Sequence, residues 1–141
     1  MAVKLCNDVI TVFNARVDPE TGGNVWRPTV ITGASWYMTD ASAVDTGKGG
    51  LVAANKVTVR IPVGAITGGK AYADPIAYKY GTPAGLWTLQ AGDIIVKGAA
   101  GGFEDPTPAK LKKAYAECVT VLAVTDNRRA PNAPHWRVTG T

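Results

Sequence analysis

The chain has 141 residues, enough for one domain with one sizeable core. Sixteen glycines and nine prolines make up about 18% of it against a typical ~12%, while apolar residues reach 46% and charged residues only 18%. That balance excludes global disorder, long helices and the ~18-residue apolar run of a membrane-spanning helix; a net charge of +4 permits contact with nucleic acid or an acidic partner without demanding either.

The first residues, Met1 to Asp8, lack the apolar core of a signal peptide, so a secreted or membrane-anchored precursor is not expected. Residues 8–14 are β-branched or aromatic at almost every step and read as a strand. Asp18-Pro19-Glu20-Thr21-Gly22-Gly23 is a turn by composition, and Val25 to Ile31 resumes an extended pattern, giving a hairpin. Pro28 has no N–H for a ladder, so the second strand is an edge or is interrupted there before continuing over residues 33–38.

Residues 39–50 are small and polar and read as a loop of functional length. From Val57 to Ile61 alternation is clean: Val57, Val59 and Ile61 share one face, Thr58 and Arg60 the other, and Pro62 ends the strand. Residues 64–85, rich in Gly and Pro with Tyr72, Tyr78 and Tyr80, form a long insertion that packs through its tyrosines or orders on a partner. Residues 86–89 and 94–97 are short strands around a turn at 90–93, and residues 98–102 are a flexible connection.

One helix is expected over about 107–117, capped by Thr107 with Pro108 at its first position and with Leu111, Ala114, Tyr115 and Cys118 at helical spacing. Strands over 119–125 and 135–139 close the chain around a Pro-rich loop. The expected fold is mainly β: a single domain over residues 1–141, a small antiparallel β-barrel or sandwich with long loops at 39–50 and 64–85 and one short helix.

No catalytic constellation emerges. His135 is the single histidine, so any Ser-His-Asp or Cys-His arrangement has one candidate base. Cys6 and Cys118 lack metal-type spacing and read as free thiols, and no phosphate-binding glycine motif is present. No enzyme activity, metal or cofactor is expected. Lys110, Lys112 and Lys113 read as a solvated helix face. Arg128 and Arg129, with Arg137 nearby, suit a capped and solvated turn, carboxylates on a partner subunit or DNA phosphates. Tyr72, Tyr78 and Tyr80 join these arginines as candidate subunit-interface residues.

The run Cys118 to Gly140, with Asp8–Asn14, Asp18–Gly22, Val57–Pro62 and Gly92–Gly98, resembles a family of small proteins from the virion-gene clusters of phages and prophages of Gram-positive bacteria. More widely, the order of strand, D-x-x-x-G turn, Trp-containing strand, long loop and V-x-V-R-I strand is similar to that of phage head–tail joining proteins of the head-closure (stopper) kind. The resemblance implies a virion neck subunit, assembled in the bacterial host cytoplasm as a homo-oligomeric, six-fold ring. Its implied partners are further copies of itself, the portal–adaptor complex, tail proteins and packaged DNA, with no membrane. The loops at 39–50 and 64–85 would then be ring-contact or channel elements. A tail terminator, tail-tube or capsid decoration protein is the alternative within the virion, and an OB-like nucleic-acid-binding domain the alternative outside it.

Overall fold

The computed structural model describes residues 8–18, 20–43, 52–81 and 85–141, with backbone alone over 39–43 and 52–55. Its strands are β1 (Asp8–Val17), β2 (Asn24–Ala43), β3 (Val52–Pro62), β4 (Ala71–Tyr72), β5 (Leu86–Trp87), β6 (Ile94–Lys97), β7 (Cys118–Asn127) and β8 (His135–Gly140). Two short helices, α1 (Pro75–Tyr80) and α2 (Pro108–Ala114), complete it. Six strands close into a barrel in the order β1-β2-β3-β8-β7-β6, every neighbouring pair antiparallel. Of the expected barrel or sandwich, the chain forms the barrel.

Alternation along the strands fills its interior. Ile10, Val12, Ile31, Val57, Val59, Ile61, Ile95, Val119, Val121, Trp136 and Val138 all point inward and are buried. The outer faces differ from wall to wall. On β1 and β6, the outward residues Phe13, Ile94 and Val96 are also buried, in a second cluster with Ala100 and Leu111. Helix α2 and the connection before it cover this wall, so these two strands are apolar on both faces. Thr11 fastens the connection: its hydroxyl donates to Gly98 O at 2.8 Å and accepts from Ala100 N at 2.8 Å.

The β1–β2 hairpin closes where Asp18 was expected to turn the chain. Asp18 N donates to Gly23 O, Gly22 N donates to Asp18 O, and Gly22 takes φ +72°. β2 runs unbroken through Pro28, which pairs with Phe13. Pro28 is tolerated because this half of β2 has only β1 as a ladder partner among the described residues; the Pro28 carbonyl accepts from Lys70 Nζ at 2.7 Å.

Three expectations need correction. Residues 39–43 are not loop but the end of β2, paired with residues 52–56 of β3 from Thr39↔Lys56 to Ala43↔Val52. Main-chain hydrogen bonds carry this ribbon, so small polar side chains hide it from any alternation rule. It extends roughly 17 Å beyond Val57↔Gly140, where pairing with β8 ends. Residues 44–50 of the expected loop lie outside the described residues.

Second, the described residues form two short helices, not one. α1 lies inside the 64–85 insertion; Asp74 caps it, accepting from Ala77 N at 2.9 Å, and Pro75 takes its first turn. Third, α2 ends at Ala114 rather than near 117, because Tyr115 is already extended (φ −123°, ψ 127°) and Cys118 opens β7. Its expected start holds, with Lys110 N donating to the Thr107 hydroxyl.

Candidate functional site

At one mouth of the barrel the insertion folds back over the interior. β4 and β5 form a two-residue parallel pair, Ala71↔Leu86 and Tyr72↔Trp87. That pairing delivers Tyr72 and Trp87 to Trp136 of β8, with ring centroids 5.1 Å (Tyr72–Trp87), 4.5 Å (Tyr72–Trp136) and 5.3 Å (Trp87–Trp136) apart. The Arg128 guanidinium lies over this cluster, 5.1 Å from the Tyr72 centroid and 5.4 Å from that of Trp136. Asp126 fixes it there, accepting from Arg128 Nη2 at 2.6 Å, from Nε at 2.9 and 3.0 Å, and from the Arg128 amide at 3.0 Å. These bonds hold the Asp126 carboxyl down at about 2, while burial pushes the Tyr72 phenol up.

Beside this cluster lies a cleft of about 290 Å³, bordered also by Val63, Ala65 and Lys70. Lys70 Nζ donates to Pro28 O and to the Thr29 hydroxyl, and burial, with Arg27 nearby, lowers its pKa. The cations of the cleft are thus engaged within the chain. The cleft is the seam along which the insertion seats on the barrel.

The other half of the insertion behaves differently. Tyr78 of α1 is 1% exposed, and Arg16 of β1 holds the end of the helix, its Nη2 donating to Lys79 O at 3.2 Å and Gly81 O at 2.8 Å. With the helix so fixed, Ile76 (74% exposed) and Tyr80 (77% exposed), four residues apart, share its solvent face. Ile66, Val63, Tyr37 and Met38 are further large apolar side chains left exposed outside the barrel interior.

Where β1 meets the turn before β6, a buried polar network replaces apolar packing. Asp93 accepts from Asn14 Nδ2 (2.8 Å), Ala15 N (3.2 Å) and Gln90 N (3.2 Å). Asn14 also donates to Thr88 O and accepts from Thr88 N. Burial outweighs these bonds and raises the Asp93 carboxyl to about 6. Every partner in the network lies within the chain, so it is a brace between β1 and the segment entering β6.

Helix α2 reaches only the start of β7, where Cys118 packs against the Leu111 cluster; among the described residues, no helix lies over the rest of the wall built from β2, β3, β8 and β7. Register places Ser35, Arg60, Arg137 and Thr125 side by side across its outer face, and Tyr37, Thr58, Thr139 and Ala123 in the next row. Lys56 follows two residues beyond Thr58.

The candidate interface residues therefore separate. Tyr72 and Arg128 meet at the mouth, Tyr78 is core, Tyr80 is solvent-facing, Arg129 is exposed in the β7–β8 loop, and Arg137 stands on the outer wall. The sequence reading missed Arg60 and Ile76. The first becomes visible only through strand register; the second was accessible from the i, i+4 spacing to Tyr80 once a helix was recognised after Asp74-Pro75. His135 directs Nδ1 to Ala133 O (2.8 Å) and Nε2 to Asn127 Nδ2 (3.4 Å). Cys118 is a free, half-buried thiol whose pKa burial raises; Cys6 lies outside the described residues. Among the described residues, no three His, Cys, Asp or Glu side chains gather as a metal-ligand set, and no helix is long and apolar enough to cross a membrane.

The sequence matches one protein family, a family of unknown function (DUF6751), over residues 5–141. No curated protein and no solved structure matches it.

Proposed function

The chain belongs to the DUF6751 family, and from the sequence resemblance, with the barrel's exposed apolar surface in support of self-assembly, we propose that it is a non-enzymatic virion structural protein: a head-closure-like neck subunit that forms a homo-oligomeric ring between portal–adaptor complex and tail. The observation that carries this reading is where uncovered apolar surface lies. The barrel buries its own interior, whereas Ile66, Ile76 and Tyr80 on the insertion and Met38 at the root of the β2–β3 ribbon remain in solvent, as do Val17 and Val25 beside the β1–β2 turn and Leu122 on β7. Exposed apolar side chains grouped on projecting elements mark surfaces for a partner. A two-stranded ribbon is marginal by itself in water, so its extension beyond β8 also favours a neighbour that supports it. A head-to-tail contact between such unlike surfaces generates a ring when the rotation closes.

Within the virion, the resemblance to head-closure proteins favours the neck over a tail terminator, tail-tube or decoration role. The OB-like alternative fits less well in strand count, since an OB-fold is a five-stranded, partly open barrel and this one closes with six. Negative-stain images of purified protein mixed with portal–adaptor complexes are expected to show an added ring on the complex. A chain that never joins those complexes overturns the neck assignment. Disrupting the gene is expected to yield DNA-filled heads that leak and lack tails; normal heads with overlong tails would mean a terminator instead.

A further inference from the structure

We propose that the outer wall of β2, β3, β8 and β7, which no helix covers at Arg60 and Arg137 among the described residues, binds the phosphate backbone of nucleic acid, with Arg60 and Arg137 as its central pair and Lys56, Thr58, Thr139 and Tyr37 around them. Arg60 and Arg137 are direct partners across the antiparallel β3–β8 ladder. Both point outward, since Ile61, Val59, Trp136 and Val138 on either side of them point into the barrel. Residues directly opposite have Cβ atoms about 4.5–5.5 Å apart, a position at which like charges repel. Thr125 and Ser35 complete that row, and the next row, Tyr37-Thr58-Thr139-Ala123, has no charge of either sign. Lys56 then adds an exposed cation on the same side. Among the described residues neither arginine has a salt-bridge partner; Asp126, the acidic residue nearest Arg137 in sequence, is held by Arg128 at the mouth. The fold thus maintains a like-charged pair that an anion between the two guanidinium groups would stabilise.

Charge and shape favour nucleic acid over another copy of the chain. A face-to-face contact between two such walls would set cations against cations. Arg60 and Lys56 are four residues apart along one strand, roughly 13 Å, so the wall presents cations over a length on which duplex DNA, with one charge per ~1.7 Å, offers several phosphates. Threonine hydroxyls donate readily to phosphate oxygens. Tyr37, 57% exposed and diagonal to Arg60, supplies a ring for a sugar edge or a frayed base. This inference stands whether or not the chain is a neck subunit.

Fluorescence anisotropy of a labelled 20-base-pair DNA duplex, titrated with the full chain at several salt concentrations, tests it. Wild type is expected to bind with log affinity falling against log salt at a slope of about −2 to −3. Arg60→Gln with Arg137→Gln should weaken binding by ~10-fold or more at low salt and remove about two from that slope. The control, Lys110→Gln with Lys112→Gln and Lys113→Gln, removes more charge from the α2 side and should stay within ~3-fold of wild type. Equal loss in the control overturns the proposal, because binding would then follow net charge alone. No binding by wild type at low salt also overturns it. So does binding of poly-glutamate, but not DNA, that depends on Arg60 and Arg137; the wall would then be a protein-docking surface.

Discussion

The two walls of this barrel share one interior and differ in what lies outside. On the β1–β6 wall, α2 and the 98–108 connection bury Phe13, Ile94 and Val96, and Asn14 and Asp93 brace its end from within. On the β3–β8 wall, the same alternation ends in Thr58, Arg60, Arg137 and Thr139, with no helix over them among the described residues. The first wall is completed by its own chain. The second, among the described residues, presents polar and cationic side chains instead of a second apolar layer. The contrast recurs in the insertion, where Tyr72 and Tyr78 serve the fold and Tyr80 faces out.

Substitutions should separate the walls by size of effect. Leu111→Ala, on the inner face of α2, is expected to cost about 2–5 kcal/mol in denaturant unfolding, because a large buried side chain is deleted from the covering layer. A loss below 1 kcal/mol would mean that α2 is not needed to complete that wall.

Asp93 gives the same wall a pH dependence. Its carboxyl titrates at about 6 in the fold against 3.8 unfolded, so the folded state binds the proton more tightly. The stability linked to it is therefore full below about 4 and lost as pH rises through about 6, up to about 3 kcal/mol in all. The difference in unfolding free energy between wild type and Asp93→Asn, followed from pH 4 to 8, should move in that direction. Asp126, held at about 2, works oppositely: its contribution is present above about 3.8 and fades as pH falls through about 2. A wild-type-minus-variant difference that stays flat from pH 4 to 7 would contradict the burial of Asp93.

At the mouth, Arg128→Ala should cost about 1 kcal/mol, the combined size of a stacking contact and a partly exposed ion pair. The smallest effect belongs to the bare wall. Arg60→Gln with Arg137→Gln should leave unfolding free energy within about 0.5 kcal/mol of wild type, or raise it slightly by relieving repulsion. A large loss there would make these arginines structural and erase the distinction between walls.

Much of this architecture was legible residue by residue. Val57, Val59 and Ile61 announced a half-buried strand, and the runs at 8–14, β-branched or aromatic at almost every step, and at 94–97 read as strands, without showing that both of their faces are covered. The Thr107-Pro108 cap located α2. The same chemistry at Asp74-Pro75 went unread, because six residues are too few to display helical periodicity. Cys118 fell at helical spacing from Leu111 and does pack against that cluster, but from a strand that the spacing could not distinguish from a longer helix. The ribbon beyond Val57 left no apolar pattern to read. Arg60 and Arg137 are 77 residues apart, and only ladder register brings them together.

Native mass spectrometry of the full chain, from nanomolar to high micromolar concentration, tests most directly whether the apolar side chains left outside the barrel join copies of the chain. Wild type is predicted to form a closed, six-fold oligomer, and Ile76→Ser with Tyr80→Ser to give monomer with an unchanged melting temperature. A wild-type chain that remains monomeric throughout, or an oligomer indifferent to those two substitutions, would contradict the account.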